Sequence, residues 1–557
     1  MYEKLIHHIV ADCKELFNAD VQPIVSRPDE QFGDYACNVA MQLAKELGQN
    51  PREIAAALRE KLQVVDGVKH VEIAGPGFIN IFVEDEVLVG DASNISPYQH
   101  HEGKEVLVEF GNFNPLKTVH LGHLYQTVVY SAIARLFERS GATVHTISYH
   151  GDVGMHIAKA IWAIGEEVGW KPQDLKALED GEESDVSMRN MKTIFGSYYA
   201  KGNEAYDADS SAAESIREVN RHIYDRDNQA VNDIHALCVK RSMQYFDTIY
   251  DELGVSFEKH YMESETAPIG TEVVKKNIGN VFEESDGAII YKGEKDDLHT
   301  RVFLNSEGLP TYEAKDLGLI ELKRRDYPGA DKSVIITGNE QQQYFKVMLA
   351  ALKHIHPEEA AKTEHMTHGL LSLTTGKMSS RTGNVFGAQS LMDATRAAVS
   401  KAFVDSEVQR DIYLAALKYT FLKSRIGGDI VFDVQESVSL EGNSGPYIQY
   451  AYARARSILR KKAASEDEIT GLEADERSLV RKISEYEEVL EKATKERLPH
   501  HICTYLYELA QKFNAFYEKN RVLEHEREAQ RLGIVHFYAE VLKDGLETLG
   551  IPAPEKM

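Results

Sequence analysis

The sequence of 557 residues has little cysteine, a deficit of basic charge and no long apolar run, and each shortage excludes a class of protein. Structural zinc sites need cysteines in close pairs, and disulfide scaffolds need many of them. This chain has four cysteines without a Cys-x-x-Cys pair, and they lie far apart: Cys13, Cys37, Cys238 and Cys503. We therefore expect buried free thiols and no structural metal bound by the protein.

Apolar runs are also short, and none approaches the roughly 18 residues that span a membrane. The N-terminal segment MYEKLIHHIVADCKELF has the spacing of an amphipathic helix. It lacks the basic start and the unbroken apolar stretch of a secretory signal. These patterns predict a cytoplasmic protein without a membrane partner.

Lysine and arginine together number 63 against 88 acidic residues, which gives a formal net charge of -25. A protein that coats nucleic acid through a basic surface is therefore excluded. A local basic groove remains compatible with an acidic body, because salt screens each charge within about 8–10 Å. Binding to RNA must then be argued from motifs.

Three regions with different patterns follow one another, in keeping with two to four domains for this length. Residues 1–90 predict a small α+β domain, with helices in GDYACNVAMQLAKELGQ and PREIAAALREKL and strands in VKHVEIA and GFINIFV. Residues 104–430 begin with the strand EVLVEF, the helix HLYQTVVYSAIARLFERSG and the strand ATVHTISYH, which predict a βαβ unit and a parallel sheet. A mostly helical insertion around residues 171–263 interrupts this α/β pattern. Residues 434–557 predict an all-α helical bundle.

A first motif, NPLKTVHLGH at residues 114–123, lies between a predicted strand and a predicted helix. A helix N-terminus attracts phosphate, because its amides are unpaired and its dipole is positive there. His120 and His123 would donate hydrogen bonds to phosphate oxygens, and Gly122 leaves room for a flat base against the backbone. Two surface histidines at the start of a helix are the alternative interpretation.

A second motif, GKMSSRTGN at residues 376–384, places Lys377, two hydroxyls and Arg381 between glycines. Such a loop folds over a triphosphate and stabilises the charge that develops on the leaving pyrophosphate. A flexible surface turn is the alternative. In this order, on a parallel α/β scaffold, the two motifs resemble the HIGH and KMSKS signatures of class I aminoacyl-tRNA synthetases. Those enzymes join an amino acid to ATP as an adenylate and then pass the acyl group to the terminal ribose of tRNA.

This resemblance implies a class I Rossmann-type catalytic domain that uses ATP together with Mg²⁺. It assigns catalysis to His120, His123 and Lys377. The residues that it assigns to ATP binding are His120, Gly122, His123, Lys377, Met378, Ser379, Ser380 and Arg381.

Three further segments resemble the arginyl-tRNA synthetases in particular. EFGNFN at residues 109–114 resembles their EFSSPN, PTYEAKD at residues 310–316 their TYxxRD, and GNEQQQYF at residues 338–345 their GAEQHxHF. The residues that the resemblance assigns to arginine binding are Glu109, Asn114, Tyr312, Asp316 and Gln341.

Physical chemistry agrees with that assignment. A planar guanidinium prefers carboxylates of matching fork geometry, which Glu109 and Asp316 would supply. Tyr312 and Asp316 are four residues apart, so on a helix both face the same way, and the tyrosine would close the pocket. The neutral Asn114 and Gln341 suit the ammonium and the carboxylate of the substrate.

The family pattern is not followed at every position. Gly111 and Asn112 replace two serines, and Lys315 replaces an arginine, which changes the expected shape of the pocket. Ser380 stands where the full KMSKS pattern has a second lysine. We expect Lys117 to supply the missing cation, because it lies three residues before His120 and its side chain reaches about 6 Å. Arginyl enzymes that lack the second lysine similarly carry a lysine just before HIGH.

The resemblance spans the chain and extends to RNA. The N-terminal region looks like the domain with which arginyl enzymes grip the elbow of tRNA, and SGPYIQYAYARARSILRK resembles the start of their anticodon-binding domain. Bases stack on tyrosine rings while arginine binds phosphate, so we expect Tyr450, Arg454 and Arg456 to contact RNA. Core tyrosines beside a solvated face are the alternative. The implied partners are tRNA(Arg) and L-arginine, and we expect a monomer.

Three other functions compete with arginine loading. One is a class I synthetase for another amino acid, such as cysteine, glutamine or lysine, and lysine is the serious competitor because the Glu109, Tyr312 and Asp316 set favours a cationic substrate. A cysteine enzyme would be expected to show zinc-ligand cysteines, and none are paired here. A small-molecule nucleotidyltransferase shares the HxGH motif on a parallel sheet, but it has no use for a long helical C-terminal domain. A non-catalytic RNA-binding relative is disfavoured because His120, His123 and Lys377 are intact.

Overall fold

The structure is a computed structural model, and it describes residues 1–95, 100–171, 185–369, 371–373, 387–404, 407–464 and 469–557. The chain falls into two compact units. The first contains residues 1–98, 406–411 and 440–557, and the second contains residues 99–405 and 412–439. The predicted N-terminal and C-terminal domains therefore belong to one unit, and the predicted α/β domain forms the other.

The N-terminal domain is an α+β structure, as predicted. Its elements are α1 (Tyr2–Phe17), β1 (Val25–Ser26), β2 (Tyr35–Cys37), α2 (Val39–Leu47), α3 (Pro51–Leu62), β3 (Val68–Ala74), β4 (Phe78–Val83) and α4 (Asp85–Ser93). The strands form an antiparallel sheet in the order β1-β2-β4-β3. Helix α3 has the predicted bounds because Pro51 occupies its first turn and the Asn50 side chain accepts from the Arg52 amide at 3.0 Å.

Two details of this domain differ from the sequence prediction. The segment GDYAC was expected to be helical, but Tyr35 pairs with Ile81 in the sheet and the helix begins at Val39. Ladder hydrogen bonds to β4 outweigh the local helical spacing there. The segment DASNISPYQHHEGK, residues 91–104, was expected to be a linker, yet its first three residues belong to the end of α4.

The second unit carries the parallel sheet. Its elements are β5 (Glu105–Glu109), α5 (Leu121–Arg139), β6 (Thr143–His150), α6 (Met155–Val168), α7 (Asp185–Ala208), α8 (Ser210–Asp225), α9 (Gln229–Leu253), β7 (Lys259–Met262), α10 (Glu263–Lys276), β8 (Glu283–Ser285), β9 (Ala288–Tyr291), β10 (Arg301–Leu304), α11 (Tyr312–Asp326), β11 (Lys332–Gly338), α12 (Gln342–Ile355), α13 (Pro357–Lys362), β12 (Thr363–His368), β13 (Leu371–Leu373), α14 (Ala388–Ala402), α15 (Gln409–Leu422), β14 (Ile430–Phe432) and α16 (Val434–Ser437).

Five of these strands form one parallel sheet in the order β12-β11-β5-β6-β7. The predicted βαβ unit and parallel sheet are thereby confirmed. From β5 the chain proceeds to β6 and β7 on one side, and it later adds β11 and β12 on the other. The strand order therefore reverses between β5 and β11, and in such sheets ligands bind beyond the carboxyl ends of the strands at that point.

The insertion is helical from α7 to α9, but it is shorter than predicted. Residues Lys259–Met262 form β7, an edge strand that pairs in parallel with β6. A strand of four residues is too short to be separated from neighbouring helices by its periodicity. The inserted helices pack on α6 through a shared core that includes Ile157, Ile161, Ile216 and Ile234.

The C-terminal region is helical, as predicted. Its helices are α17 (Gly445–Lys461), α18 (Ala474–Ile483), α19 (Tyr486–Glu496), α20 (His500–Lys519) and α21 (Glu528–Thr548). Two ion-pair systems join these helices to the N-terminal domain. Arg27 stacks on Tyr35 at 4.0 Å and pairs with Glu488 at 2.6 Å. The buried carboxylate of Asp34 accepts from Arg477 at 2.8 Å.

All four cysteines are buried as free thiols, as their spacing predicted. Within the described part of the chain, no helix has the length and apolarity that crossing a membrane requires.

Candidate active site at the switch point of the parallel sheet

A cavity of about 460 Å³ opens at the carboxyl ends of β5 and β11. It brings together eight residues predicted from the sequence: Glu109, Asn114, His120, Gly122, His123, Tyr312, Asp316 and Gln341. The set falls into two groups, residues 109–123 and 312–341, that are far apart in the chain, so the motifs converge on one site. The predicted loop residues Lys377, Met378, Ser379, Ser380 and Arg381 lie outside the described residues.

The two motif histidines cap the N-terminus of α5 reciprocally. His120 Nδ1 accepts from the backbone amide of His123, and His123 Nδ1 accepts from that of His120, each over 3.4 Å. Their rings stack with centroids 3.6 Å apart. Because each Nδ1 accepts, a neutral ring carries its proton on Nε2 and can donate it to a phosphate oxygen.

Both rings are neutral in the free enzyme at physiological pH. Burial by the walls of the cavity lowers the pKa of His120 to about 4, and the pKa of His123 lies well below its usual value for the same reason. The N-terminus of α5 thus offers polar donors without a fixed positive charge on either histidine.

The two predicted carboxylates differ in their surroundings. Each oxygen of Glu109 already accepts a hydrogen bond, from Asn112 at 3.0 Å and from Lys323 at 2.5 Å. Asp316 is buried, and its Oδ2 has no hydrogen-bond partner among the described residues. Burial, with Glu109 and Glu263 nearby, raises the pKa of Asp316 well above its usual value. Of the two predicted carboxyl groups, Asp316 is therefore the one with an unsatisfied oxygen.

Glu263 is a site residue that the sequence prediction missed. It is the first residue of α10, it lines the cavity, and burial raises its pKa. Its carboxylate forms an ion pair with Lys315, whose ammonium also lies 4.4 Å from the ring of Tyr312. Lys315 therefore keeps a cation where the family segment has arginine. A carboxylate directly after a parallel strand was the available signal, but β7 was assigned to the insertion.

Other residues that line the cavity were not singled out from the sequence. They include Gln126, Tyr149, Arg301, Glu313, Glu340 and His368. Arg301 donates to Glu313 at 3.0 Å, so this charge pair is also satisfied within the site.

The loop after β5 accounts for two departures from the family pattern. Gly111 has φ +69°, and a Cβ there would lie 2.6 Å from Cζ of Phe257, so a side chain would strain the loop. Asn112 bridges two strands, because its Oδ1 accepts from the Tyr149 amide at 2.9 Å while its amide donates to Glu109.

Lys117 is half-buried and is held by the inserted helices. Its ammonium lies 5.2 Å from the ring of Tyr199 on α7. The preceding residue, Leu116, donates its amide to Ser242 on α9 at 3.1 Å. Burial lowers the pKa of Lys117, against the attraction of Glu263. The insertion thus supports the loop that leads into the first motif.

The three residues predicted to contact RNA lie on α17 in the other unit. Tyr450 is exposed. Arg454 stacks on Tyr517 at 4.6 Å and donates to Asn514 at 3.3 Å. Arg456 pairs with Glu555 at 2.7 Å.

Comparison with known proteins agrees with this architecture. The family description "tRNA synthetases class I (R), catalytic domain" matches residues 85–431, which is more than half of the chain. The fold and the site thus define a class I aminoacyl-tRNA synthetase. "Arginyl tRNA synthetase N terminal domain" matches residues 2–83, and "DALR anticodon binding domain" matches residues 448–557. The chain belongs to the arginyl-tRNA synthetase family.

Individual relatives match along their whole length. The arginine–tRNA ligase of Haemophilus ducreyi is 30% identical, over 97% of this chain and 99% of its own. That of Fusobacterium nucleatum is 28% identical, over 97% and 96%. The solved arginyl-tRNA synthetase of Thermus thermophilus is 26% identical and superposes with a TM-score of 0.82, covering all of both chains.

Proposed function

We propose that this protein attaches L-arginine to tRNA(Arg) at the cavity beyond β5 and β11. The arginine carboxylate attacks the α-phosphate of ATP, which forms arginyl-adenylate and releases pyrophosphate. A hydroxyl of the terminal tRNA ribose then attacks the acyl carbon, and AMP leaves. The observation that carries this proposal is the buried, unpaired carboxylate of Asp316 in the same cavity as a phosphate-attracting helix N-terminus.

ATP is assigned to the N-terminus of α5. His120 and His123 would donate Nε2 protons to its phosphate oxygens, and Gly122 would let the adenine lie against the backbone. We propose that Lys377, Met378, Ser379, Ser380 and Arg381 close over the triphosphate. Mg²⁺ would enter with the nucleotide, because it is usually bound through substrate phosphates together with one or two carboxylates.

Arginine is assigned to the acidic side of the cavity. Asp316 would receive the guanidinium, with Glu109 adding negative potential although it is paired with Lys323. Tyr312, one turn earlier on α11, would cover the pocket. Asn114 and Gln341 would bind the ammonium and carboxylate that every amino acid carries.

The RNA is assigned to the first unit, with residues 1–90 at the tRNA elbow and residues 434–557 at the anticodon. On α17, Tyr450 is available for stacking and Arg454 for a phosphate, whereas Arg456 would have to exchange Glu555 for RNA. We further propose a monomer that acts in the cytoplasm, where translation consumes its product.

Arg454→Ala should reduce the salt dependence of tRNA binding. Losing one phosphate contact lowers the slope of log Kd against log salt concentration by about 0.7–0.9. Arg456→Ala should change the slope less, because its guanidinium is already neutralised. Titrations of labelled tRNA(Arg) between 50 and roughly 200 mM salt measure both slopes. Equal slopes in wild type and Arg454→Ala would remove this residue from the interface.

The function itself is tested by aminoacylation of bulk tRNA with arginine and, as the control substrate, lysine. We expect esterification of arginine alone. Resemblance to arginyl enzymes further implies that ATP–pyrophosphate exchange with arginine requires cognate tRNA. Charging of lysine in place of arginine would overturn the proposed substrate.

A further inference from the structure

The backbone beside Asn114 is held by a histidine that no substrate is expected to touch. His150, the last residue of β6, is fully buried and donates from Nδ1 to the carbonyl of Phe113 at 2.8 Å. The Phe113 ring is itself packed against Phe246 and Tyr250, at 5.2 and 4.9 Å. The peptide that leads into Asn114 is therefore fixed by one polar contact and an aromatic cage.

Behind His150 the hydrogen bonds continue to a second histidine. Ser148 Oγ lies 2.8 Å from His150 Nε2 and 2.6 Å from Nδ1 of His260 on β7. Ser148 is also fully buried, whereas His260 is half-buried. Three side chains from two neighbouring parallel strands thus form one chain that ends at the Phe113 carbonyl.

The donor and acceptor roles along this hydrogen-bond chain follow from its last contact, the one with the Phe113 carbonyl. A carbonyl oxygen only accepts, so His150 Nδ1 must carry a proton. Burial among apolar rings lowers the pKa of His150 to about 3, so the ring is neutral at physiological pH and Nε2 must accept. The Ser148 hydroxyl then donates to His150 Nε2, and its oxygen accepts from His260 Nδ1, which itself lies 3.4 Å from His150 Nε2. Ser148 thereby selects the tautomer that can hold the loop.

A shift of the peptide between Phe113 and Asn114 would change the position of Asn114 in the cavity. Gly151 lies beneath Asn114, and even a Cβ on Gly151 would be 2.5 Å from Asn114 Oδ1 and 3.4 Å from the Glu263 carboxylate. Asn114 therefore has little room to move without displacing the groups that surround the substrate.

We infer that Ser148, His150 and His260 are positioning residues for arginine binding: they hold the Phe113 carbonyl and so place Asn114 in the cavity. This inference rests on the proposed role of Asn114. This hydrogen-bond chain depends on one tautomer of His150. A substitution of Ser148 that changes the tautomer would therefore weaken the hold on the Phe113 loop, which Ser148 does not itself contact.

The His150 ring can be replaced by two amides that test its two nitrogens separately. In His150→Asn the amide nitrogen takes the place of Nδ1 and still donates to Phe113, whereas in His150→Gln it takes the place of Nε2 and faces Ser148. His150→Gln should raise the KM for arginine by about 3–10-fold, as expected for one lost neutral hydrogen bond. His150→Asn should stay within twofold of wild type, and kcat and the KM for ATP should change little in both.

Ser148 supplies a second, independent test, which also serves if the His150 variants do not fold. Ser148→Ala removes the closer of the two donors to Nε2 and leaves only His260 Nδ1 at 3.4 Å, so the ring can more readily take the other tautomer and lose its bond to Phe113. We expect the KM for arginine to rise as in His150→Gln and Ser148→Thr to remain near wild type. In ¹⁵N-histidine spectra, Ser148→Ala should move the protonated-nitrogen signal of His150 from Nδ1 towards Nε2.

A matched control lies at the opposite, amino-terminal end of the same sheet. His101 Nδ1 and Ser140 Oγ form a similar hydrogen bond, at 2.9 Å, before β5 and β6 begin. Ser140→Ala should leave the KM for arginine unchanged.

The outcomes separate this inference from the proposed function. If Asn114→Ala raises the KM for arginine but His150→Gln and Ser148→Ala do not, the positioning chain is wrong and the role of Asn114 stands. Equal effects of His150→Asn and His150→Gln on the KM for arginine would also contradict the positioning role. If Asn114→Ala itself leaves the KM for arginine unchanged, the assigned role of Asn114 is wrong, and the positioning role of Ser148, His150 and His260 is wrong with it.

Discussion

Lys117→Ala lowers the rate of adenylate formation by about 10²–10³-fold, the scale of losing one donor that stabilises a transition state. Negative charge grows on the departing pyrophosphate, and Ser380 leaves the second motif without its usual second lysine. Lys117 is half-buried. Its ammonium lies over the ring of Tyr199 and is attracted by the carboxylate of Glu263, and these contacts hold it near the N-terminus of α5. Because this charge acts in the transition state, Kd values for arginine and ATP should change little.

Pyrophosphate exchange at saturating arginine, ATP and tRNA(Arg) measures this effect. Lys159→Ala is the matched control, since neither lysine lines the cavity and Lys159 also lies over a tyrosine of α7, 4.2 Å from the ring of Tyr206, but stands outside the first motif. We expect wild-type exchange there. Adding Ser380→Lys to Lys117→Ala should recover part of the rate, as a cation returns from the second motif. A Lys117→Ala rate within threefold of wild type would contradict the role.

Asp316→Asn weakens arginine binding and stabilises the free enzyme, two effects of opposite sign. The variant keeps the shape of the side chain but removes the charge that would face the guanidinium. A hydrogen bond between charged groups contributes about 1.5–3 kcal/mol, so the KM for arginine should rise by about 10–150-fold. The KM for ATP should remain close to wild type.

The stability effect follows from the raised pKa of Asp316. Between its ordinary pKa and the raised one, the folded state binds a proton that the unfolded state has lost, so wild-type stability falls as pH rises through that window. Asparagine cannot ionise, and Asp316→Asn therefore raises the melting temperature above the ordinary pKa of aspartate. Arginine affinity of the wild type should increase with pH over the same window, and this dependence should flatten in the variant.

Asp326 at the end of the same helix is a control with the opposite sign. Its hydrogen bond with Arg325, together with Lys259 and Tyr261, lowers the pKa of Asp326. Its ionised form therefore stabilises the fold above the ordinary pKa, and Asp326→Asn should lower the melting temperature without changing the KM for arginine. If Asp316→Asn binds arginine as tightly as wild type does, Asp316 is not in the pocket.

Motifs with strong local periodicity allowed much of the fold to be predicted. Helix α3 has the expected bounds, because a proline in its first turn and an N-cap asparagine mark its start. The residues that line the cavity were also found where a motif placed them at the end of a strand. Strand β7 was missed because four residues carry too little pattern.

Charge pairing inside the cavity was beyond sequence analysis. The sequence alone does not distinguish Glu109 from Asp316, but Lys323, seven residues after Asp316 on α11, forms its ion pair with Glu109. The roles of Asn112 and Ser148 likewise depend on strands that are adjacent in space and separated along the chain. Such pairings follow from tertiary packing, which local spacing does not encode.

The contacts between Asp34 and Arg477 and between Arg27 and Glu488 have a consequence for how the protein is made. The partners are separated by 443 and 461 residues. At about 5–20 residues per second, a ribosome needs roughly 20–90 s to add that length of chain. The N-terminal domain therefore emerges with Arg27 and Asp34 lacking their ion-pair partners, and these two ion pairs form only after nearly the whole polypeptide has been synthesised.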